Sequence, residues 1–277
     1  MPLPPDDPEL KEVERIVRPP RIPWDDEEPD PEATTYTAAV HGPDPVPSWV
    51  ITEDAARQHE LGILKTGKEA DVYVVRRTLG ERVNLLAAKR YRDFEDRTFR
   101  NDARYRRRRT GDARIDRAVD QGTRVGMGFR AMLWVNTEFE TLGRLWAAGA
   151  SVPYPVQQLD HEVMLEYIGD EWSAAPRLVA APLGKAEIRD LYEQAVALLQ
   201  TMVRCGVVHG DLSPYNLLVW QGRLVMIDLP QAVDPLAHAD GLALLQRDVD
   251  NVCAWFERKG VETRRGDLLA DLLSLLF

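Results

Sequence analysis

The stretch from Val207 to Asp228 constrains this chain more than any other. It reads Val-Val-His-Gly-Asp-Leu-Ser-Pro-Tyr-Asn-Leu-Leu-Val-Trp-Gln-Gly-Arg-Leu-Val-Met-Ile-Asp. Asn216 to Trp220 and Arg223 to Asp228 are β-prone runs, and Gln221-Gly222 between them suits a two-residue hairpin turn. With that turn Trp220 faces Arg223, Leu218 faces Val225 and Asn216 faces Ile227. Asn216 and Asp228 then lie diagonally at the open end, within about 8 Å of each other. A carboxylate and an amide oxygen converging there, with Asp211 on the loop just before, can hold Mg²⁺ together with substrate phosphates. Asp211 is placed to accept a proton from an incoming hydroxyl. Taken singly, each of the three reads as a cap or turn residue. Focused on one end of an otherwise apolar hairpin, they read as a site.

Composition narrows the remaining classes. The 277 residues carry 35 basic and 45 acidic side chains, a formal charge of −10. Two cysteines cannot build a disulfide framework, and Cys205 and Cys253 read as small buried hydrophobes in a reducing compartment. The start, Met1-Pro-Leu-Pro-Pro-Asp-Asp, lacks the basic and apolar regions of a signal peptide. No apolar run approaches the roughly 18 residues of a membrane span. The expectation is a cytoplasmic protein with no membrane contact.

The charge is unevenly spread. Residues 1–48 hold 12 prolines and 12 acids against 4 bases, a local −8 that leaves −2 for everything after Ser48. So little apolar surface cannot offset chain entropy, and the segment reads as a disordered acidic, Pro-rich tail. Arg97 to Arg117 carries nine arginines against three aspartates, a local +6, without a sustained apolar period. It reads as an exposed flexible loop, either a solvated insertion or a surface for RNA phosphates. Tail and loop have opposite charge, so an autoinhibitory contact between them is a further expectation.

Between these features the pattern alternates. Asp71–Arg76 and Asn84–Lys89 are short strands around a turn at Gly80. Phe139, Leu142, Leu145 and Trp146 mark a helix over Thr137–Ala148, closed by Gly149. Val163–Leu165 is a short strand. Lys185–Cys205 is the clearest helix, with one stripe from Ile188 to Val203, and Asp248–Lys259 carries another. On the strand at Asn84–Lys89, Lys89 shares a face with Leu85 and Ala87. A partly buried lysine there needs an acidic partner.

His209-Gly-Asp-Leu-Ser-Pro-Tyr-Asn216 with Ile227-Asp228 resembles the catalytic and metal-binding loops of the protein-kinase-like fold, and most closely those of the first branch of the RIO kinase family. The resemblance runs from about Leu61 to Val261. Lys65-Thr-Gly-Lys-Glu-Ala-Asp-Val-Tyr73 is similar to that family's phosphate loop, Ala87-Ala-Lys-Arg-Tyr91 to its ATP-lysine strand, and Trp134-Val-Asn-Thr-Glu-Phe139 to the helix supplying the lysine's glutamate. Met164-Leu-Glu-Tyr-Ile-Gly169 resembles the hinge, and Arg247-Asp-Val-Asp-Asn251 the C-terminal helix. A nearer spelling of a P-loop, Gly62 to Lys68, fails because Glu69 stands where a hydroxyl is required and a strand follows.

The resemblance implies an α+β, protein-kinase-like bilobal fold with a β-rich N-lobe over about 49–165, a flexible loop over 93–125 and a truncated helical C-lobe over about 169–277. It implies ATP and Mg²⁺ as cofactors. Gly67, Lys68, Glu69, Val72, Lys89, Glu138, Glu166 and Ile168 would bind nucleotide, Asn216 and Asp228 would hold metal, and Asp211 and Asp228 would be catalytic. Glu138 is chosen over its rival Glu140 through the resemblance alone. The family's counterpart of Asp228 is proposed to accept a phosphoryl group.

Three departures stand out: Gly210 replaces the arginine of H-R-D, Leu229-Pro230 replaces Phe-Gly after Asp228, and only 49 residues follow Asp228. The implied function is a serine/threonine protein kinase or autophosphorylating ATPase, with Thr98, Thr110 and Thr123 as candidate self-acceptors. Two rivals stand beside it: a small-molecule phosphotransferase of the aminoglycoside or choline kinase kind, which also uses H-G-D-x-x-x-x-N, and a nucleotide-sensing assembly factor, not an enzyme in its main role, docking on RNA or a ribosomal particle through Arg97–Arg117.

Overall fold

The computed structural model describes residues 32–67, 69–92 and 124–277. Three long antiparallel strands form its first layer: β3 (Arg57–Thr66), β4 (Ala70–Leu79) and β5 (Arg82–Tyr91), numbered after two short strands, β1 (Glu32–Ala33) and β2 (Val40–His41). Two further strands, β6 (Pro155–Leu159) and β7 (Glu162–Glu166), complete a seven-stranded sheet in the order β1-β3-β4-β5-β7-β6-β2. Gly80, at φ 58°, makes the tight turn between β4 and β5.

Helix α1 (Arg124–Ala147) packs beside this sheet, ended by Gly149 at φ 78°. It begins well before the helix expected from Thr137. Its added turns lack a full apolar stripe, since Met132 is exposed beside buried Trp134 and Val135, so periodicity does not report them. The C-terminal half is helical: α2 (Lys185–Arg204), α3 (Gly241–Arg258) and α4 (Arg265–Ser274), around the hairpin of β8 (Leu217–Trp220) and β9 (Arg223–Met226). All seven residues of the α2 stripe are buried. Helix α4 was not expected; it covers the core with Leu268 and Leu272, one turn apart.

The β8–β9 register matches the sequence expectation, with Leu218 opposite Val225 and Trp220 opposite Arg223. Gln221 and Gly222 both take positive φ, 50° and 75°, as a type I′ turn requires. The ladder continues one step beyond the strands, because Ile227 N–H donates to Asn216 O at 3.0 Å.

Residues 32–48 correct the expected tail boundary. They are a strap along the sheet, not a disordered segment. Tyr36 is buried and stacks on His41 at 4.0 Å between ring centroids. Tyr154 Oη donates to Pro43 O at 3.0 Å, and Gln157 Nε2 to Thr35 Oγ1 at 2.8 Å. Composition averaged over 48 residues hid these few anchoring contacts. Residues 1–31, Lys68 and residues 93–123, with the arginine run and its three threonines, lie outside the described residues. Among the described residues no helix is long and apolar enough to cross a membrane.

Beneath the strap, Arg77 of β4 is fully buried. It donates to Ile51 O (3.1 Å), Gln58 Oε1 (3.1 Å) and Gln157 Oε1 (2.6 Å), tying the segment that follows the strap, β3 and β6 together. On the other side, a continuous core runs from Tyr91, Trp134 and Phe139 through Leu198 and Met226 to Phe256. The α1 helix thus joins the sheet to the helical half.

Candidate active site

Strand β5 alternates between two environments. Asn84, Leu86 and Ala88 are buried against the strap side, while Leu85, Ala87 and Lys89 face the cleft above the hairpin. Lys89 therefore leaves the sheet toward the helical half. Its Nζ lies 2.7 Å from Glu138 Oε1 on α1 and 2.6 Å from Asp228 Oδ1 just after β9. Glu138 is wholly buried, and also accepts from Tyr91 Oη at 2.5 Å and from the Leu229 amide at 3.2 Å. Glu140, its rival by sequence, is exposed. Geometry selects Glu138.

Burial disfavours the charged form of both partners, yet each is held charged by the other. Burial opposes the Lys89 ammonium, and the Asp228 and Glu138 carboxylates outweigh it, raising its pKa well above the ordinary value. Burial likewise pushes Asp228 up, but Lys89, with Lys65 and His209 adding, brings it far below the usual carboxylate range. Asp228 adopts φ 72°, a conformation uncommon outside glycine. That turn leaves its side chain partly exposed, at 35%, toward the cleft.

Asp211 and Asn216 sit on the loop beneath. Asn216 Nδ2 donates to Asp211 O at 3.0 Å, and Asp211 itself is exposed. His209, fully buried, donates from Nε2 to Ile227 O at 3.2 Å, and its Nδ1 accepts the Asp211 amide at 3.3 Å. This ring sets the distance between the Asp211 loop and the hairpin end carrying Asp228. Sequence reasoning quoted His209 within its motif and gave it no role.

Three more residues, all on α3, were given no role by the sequence. Asp248 of α3 is buried and accepts from the Gly210 amide at 2.8 Å and the Leu212 amide at 2.9 Å, clasping Asp211 from both sides. Arg247 donates to Gly210 O, and Asn251 Nδ2 to Leu212 O at 3.0 Å. Burial raises Asp248's pKa against the pull of His209 and the two amides. The available signal was a carboxylate sitting in the apolar stripe Leu245, Val249, Val252. Gly210 itself stands at φ 79°, and a Cβ there would lie 2.8 Å from Gln231 O. A side chain at 210 is therefore excluded by the chain after Asp228.

At the end of the sheet over the cleft, a Cβ on Gly67 would come 2.9 Å from Ala70 O, so this loop depends on glycine to close. Val72 lies opposite Lys89 on the same face, and Glu69 O accepts from the Arg92 amide at 3.0 Å. Lys68 falls outside the described residues. After β7 the chain crosses through Glu166, Tyr167 and Ile168. The Glu166 amide already donates to Tyr154 O at 2.8 Å, and Ile168 O accepts from Ala175 at 2.9 Å. Glu166 O and the Ile168 N–H are the other two backbone groups of the expected hinge.

The comparisons with known proteins agree with this geometry. The RIO1 family model, described as RIO domain, matches residues 71–268. The chain is 34% identical over 213 residues to the RIO-type serine/threonine-protein kinase Rio1 of Haloferax volcanii, covering 77% of this chain and 68% of that one. It is 34% identical over 214 residues to serine/threonine-protein kinase RIO1 of Chaetomium thermophilum, covering 73% and 40%, and 35% identical over 136 residues to bovine serine/threonine-protein kinase RIO3, covering 49% and 26%. It thus spans well under two thirds of the length of these last two relatives. Among solved structures, the Rio2 kinase–ADP/Mg²⁺–phosphoaspartate complex from Chaetomium thermophilum superposes with a TM-score of 0.56 over 77% of this chain and 60% of that one, at 22% identity. That likeness establishes the kinase-like bilobal α+β fold. With the family match spanning most of the ordered sheet and helices, the chain belongs to the RIO domain family.

Proposed function

We propose that this chain is an ATP- and Mg²⁺-dependent phosphotransferase of the RIO serine/threonine kinase type, acting on a protein hydroxyl or on itself. The observation that carries the reading is Lys89 held between Glu138 and Asp228, directly above the open hairpin end where Asp211 and Asn216 converge. The relatives' names as serine/threonine-protein kinases support it.

The donor set fits the cofactors. One Asp228 oxygen is engaged by Lys89, and the side chain is partly open to the cleft beside Asn216. Among the described residues no cluster of three His, Cys, Asp or Glu could hold a metal unaided, so Asn216 and Asp228 suit an ion that brings phosphate ligands with it. When bound, Mg²⁺ supplies neutralising charge to the phosphate oxygens. Lys89 contributes a fixed positive charge, oriented by Glu138, to the α- and β-phosphates. Gly67 would allow close backbone approach beside Glu69, with Lys68 next in sequence, Val72 would face the nucleotide from the sheet, and Glu166 O and the Ile168 amide would present backbone groups to the adenine edge. Asp211 accepts the acceptor's hydroxyl proton. Catalysis is then chiefly positioning and charge stabilisation.

A second reading concerns Asp228 as a phosphoryl acceptor in its own right. Its carboxylate is held ionised and partly exposed to the cleft, and phosphoaspartate is named in the Rio2 complex. An RNA or ribosomal partner for Arg97–Arg117 remains a proposal resting on local charge, tested by salt-sensitive RNA binding.

The deciding experiment incubates purified protein with Mg²⁺ and γ-labelled ATP and separates free phosphate, acid-stable Ser/Thr phosphate and labile acyl phosphate. Asp211→Asn is expected to lower transfer by about 10²- to 10⁴-fold while binding Mg·ATP within about twofold of wild type. Unchanged transfer in that variant sinks the assignment of Asp211. Transfer to amino-alcohols or aminoglycosides without protein phosphate would replace the reading by the small-molecule one.

A further inference from the structure

The cleft holds two cations that the reading above does not use. Lys65 stands near the end of β3, opposite Val72, and Val72 in turn stands opposite Lys89. Directly opposed residues share a sheet face, so Lys65, Val72 and Lys89 form one cross-strand row over the cleft. Two strand spacings put the Lys65 and Lys89 backbones about 10 Å apart. That is on the order of the reach of a triphosphate.

Arg177 comes from the other lobe. Its segment runs alongside the hairpin, with the Leu178 amide donating to Leu217 O at 2.7 Å and the Val219 amide to Pro176 O at 2.9 Å. These bonds fix the backbone, and the guanidinium Nη1 donates to Tyr215 O at 2.6 Å, one residue before Asn216. Among the described residues neither Lys65 nor Arg177 has a carboxylate within ion-pair distance. Both nevertheless feel Asp228, whose carboxylate Lys89 already occupies. The Lys65 side chain is exposed at the cleft mouth, and crowding by the surrounding protein, then the Arg177 charge, push its ammonium below its ordinary value. Burial does the same to Arg177. Two like charges face one cleft from opposite sides, influenced by Asp228 and, for Lys65, by Glu69, but neither is in an ion pair among the described residues.

We propose that Lys65 and Arg177 form an interlobe clamp on the terminal phosphate of the bound nucleotide, selecting triphosphate over shorter nucleotides. This rests on the nucleotide-binding reading of the site. Lys65 hangs from the sheet above, and Arg177 rises from the segment beside the hairpin below. A polyphosphate between them relieves their mutual repulsion and draws the lobes together. A nucleoside without phosphates meets neither.

The test measures affinity of the full chain with Mg²⁺ for AMP-PNP, ADP and adenosine by calorimetry, in wild type, Lys65→Ala, Arg177→Ala and the double variant. Each single change is expected to weaken AMP-PNP by roughly 10- to 100-fold, the loss of one charge-assisted contact. ADP should weaken less, and adenosine should stay within about twofold. Lys65→Arg should restore most of the AMP-PNP affinity. An unchanged AMP-PNP affinity, or equal weakening for AMP-PNP and adenosine at an unaltered melting temperature, overturns the clamp while leaving nucleotide binding intact. Wild-type protein that binds none of the three overturns the clamp together with the reading beneath it.

Discussion

Arg77 and Lys89 stand on neighbouring strands of one sheet, and each is a cation removed from water. They are satisfied in opposite ways. Arg77 is fully buried under the strap and donates only to neutral groups, the oxygens of Ile51, Gln58 and Gln157 and the Met164 sulfur, with its charge distributed over the fork of its guanidinium. Burial brings its pKa down to about 10. Lys89 sits at the edge of a cleft and meets two carboxylates at 2.7 and 2.6 Å. A charge solvated by dipoles has no need of a ligand, and it fixes where chain segments lie. A charge balanced by opposite charges beside open space can exchange a carboxylate for a phosphate. The first arrangement belongs to the fold and the second to the chemistry.

The largest effect expected from this contrast is in activity. Lys89→Met should lower phosphotransfer by about 10²- to 10³-fold, as the loss of a preorganised charge does. It should also change the acid response of stability. Asp228's carboxyl is depressed in the folded state, so its stabilisation is present above about pH 4 and lost as pH falls further. Without Lys89 that acid-side slope flattens, which a series of melting temperatures between about pH 2.5 and 7 would reveal. A wild-type slope in the variant would mean the pair is not coupled.

Arg77→Met makes the complementary test. Three buried acceptors lose their donor, and stability should drop by about 3 kcal/mol, a factor of about a hundred in the folding equilibrium. Nucleotide affinity at a temperature where the variant is folded should stay within about twofold. A selective loss of nucleotide binding would break the contrast.

The hairpin and α2 were legible in the sequence because their signals are local: a two-residue turn sets a register, and a 3.6-residue stripe sets a buried face. The resemblance supplied Glu138 in place of Glu140, which spacing alone left open. What escaped is of a different kind. The strap over 32–48 is held by a few long-range contacts to Tyr154 and Gln157. Asp248 lies 37 residues beyond Asp211 in the chain and meets its loop only through backbone amides. The two cations of the proposed clamp come from lobes more than a hundred residues apart in sequence. No local pattern records such pairings.

Asp248 extends the contrast to a carboxylate. Its partners are two backbone amides, so by the rule drawn from Arg77 it positions and does not react. Asp248→Asn keeps one acceptor and presents a donor to the other amide, loosening the loop that carries Asp211. Turnover should fall by about tenfold, short of the roughly hundredfold cost of a full 1 Å misplacement, with little change in affinity for ATP. Burial raises Asp248's pKa, so wild-type stability falls as pH climbs from about 4 through that raised value, and the asparagine variant lacks this decline. A turnover loss as large as that of Asp211→Asn would make Asp248 a participant in the chemistry.

The smallest expected effect is at Glu140. An α-helix turns by about 100° per residue, so Glu138 and Glu140 point about 200° apart and cannot both face Lys89. Glu140 instead lines a cleft of about 350 Å³ with Arg144, Thr141 and Asp234, on the side of α1 away from the lysine. Glu140→Gln should leave turnover within about twofold, against a clear loss in Glu138→Gln, whose buried oxygens serve Lys89, Tyr91 and the Leu229 amide together. If Glu140→Gln instead cost as much as Glu138→Gln, the α1 helix would have to rotate about its axis during turnover. The Lys89–Glu138 pair would then describe a resting arrangement, and the charge at Lys89 would be released by that rotation before transfer.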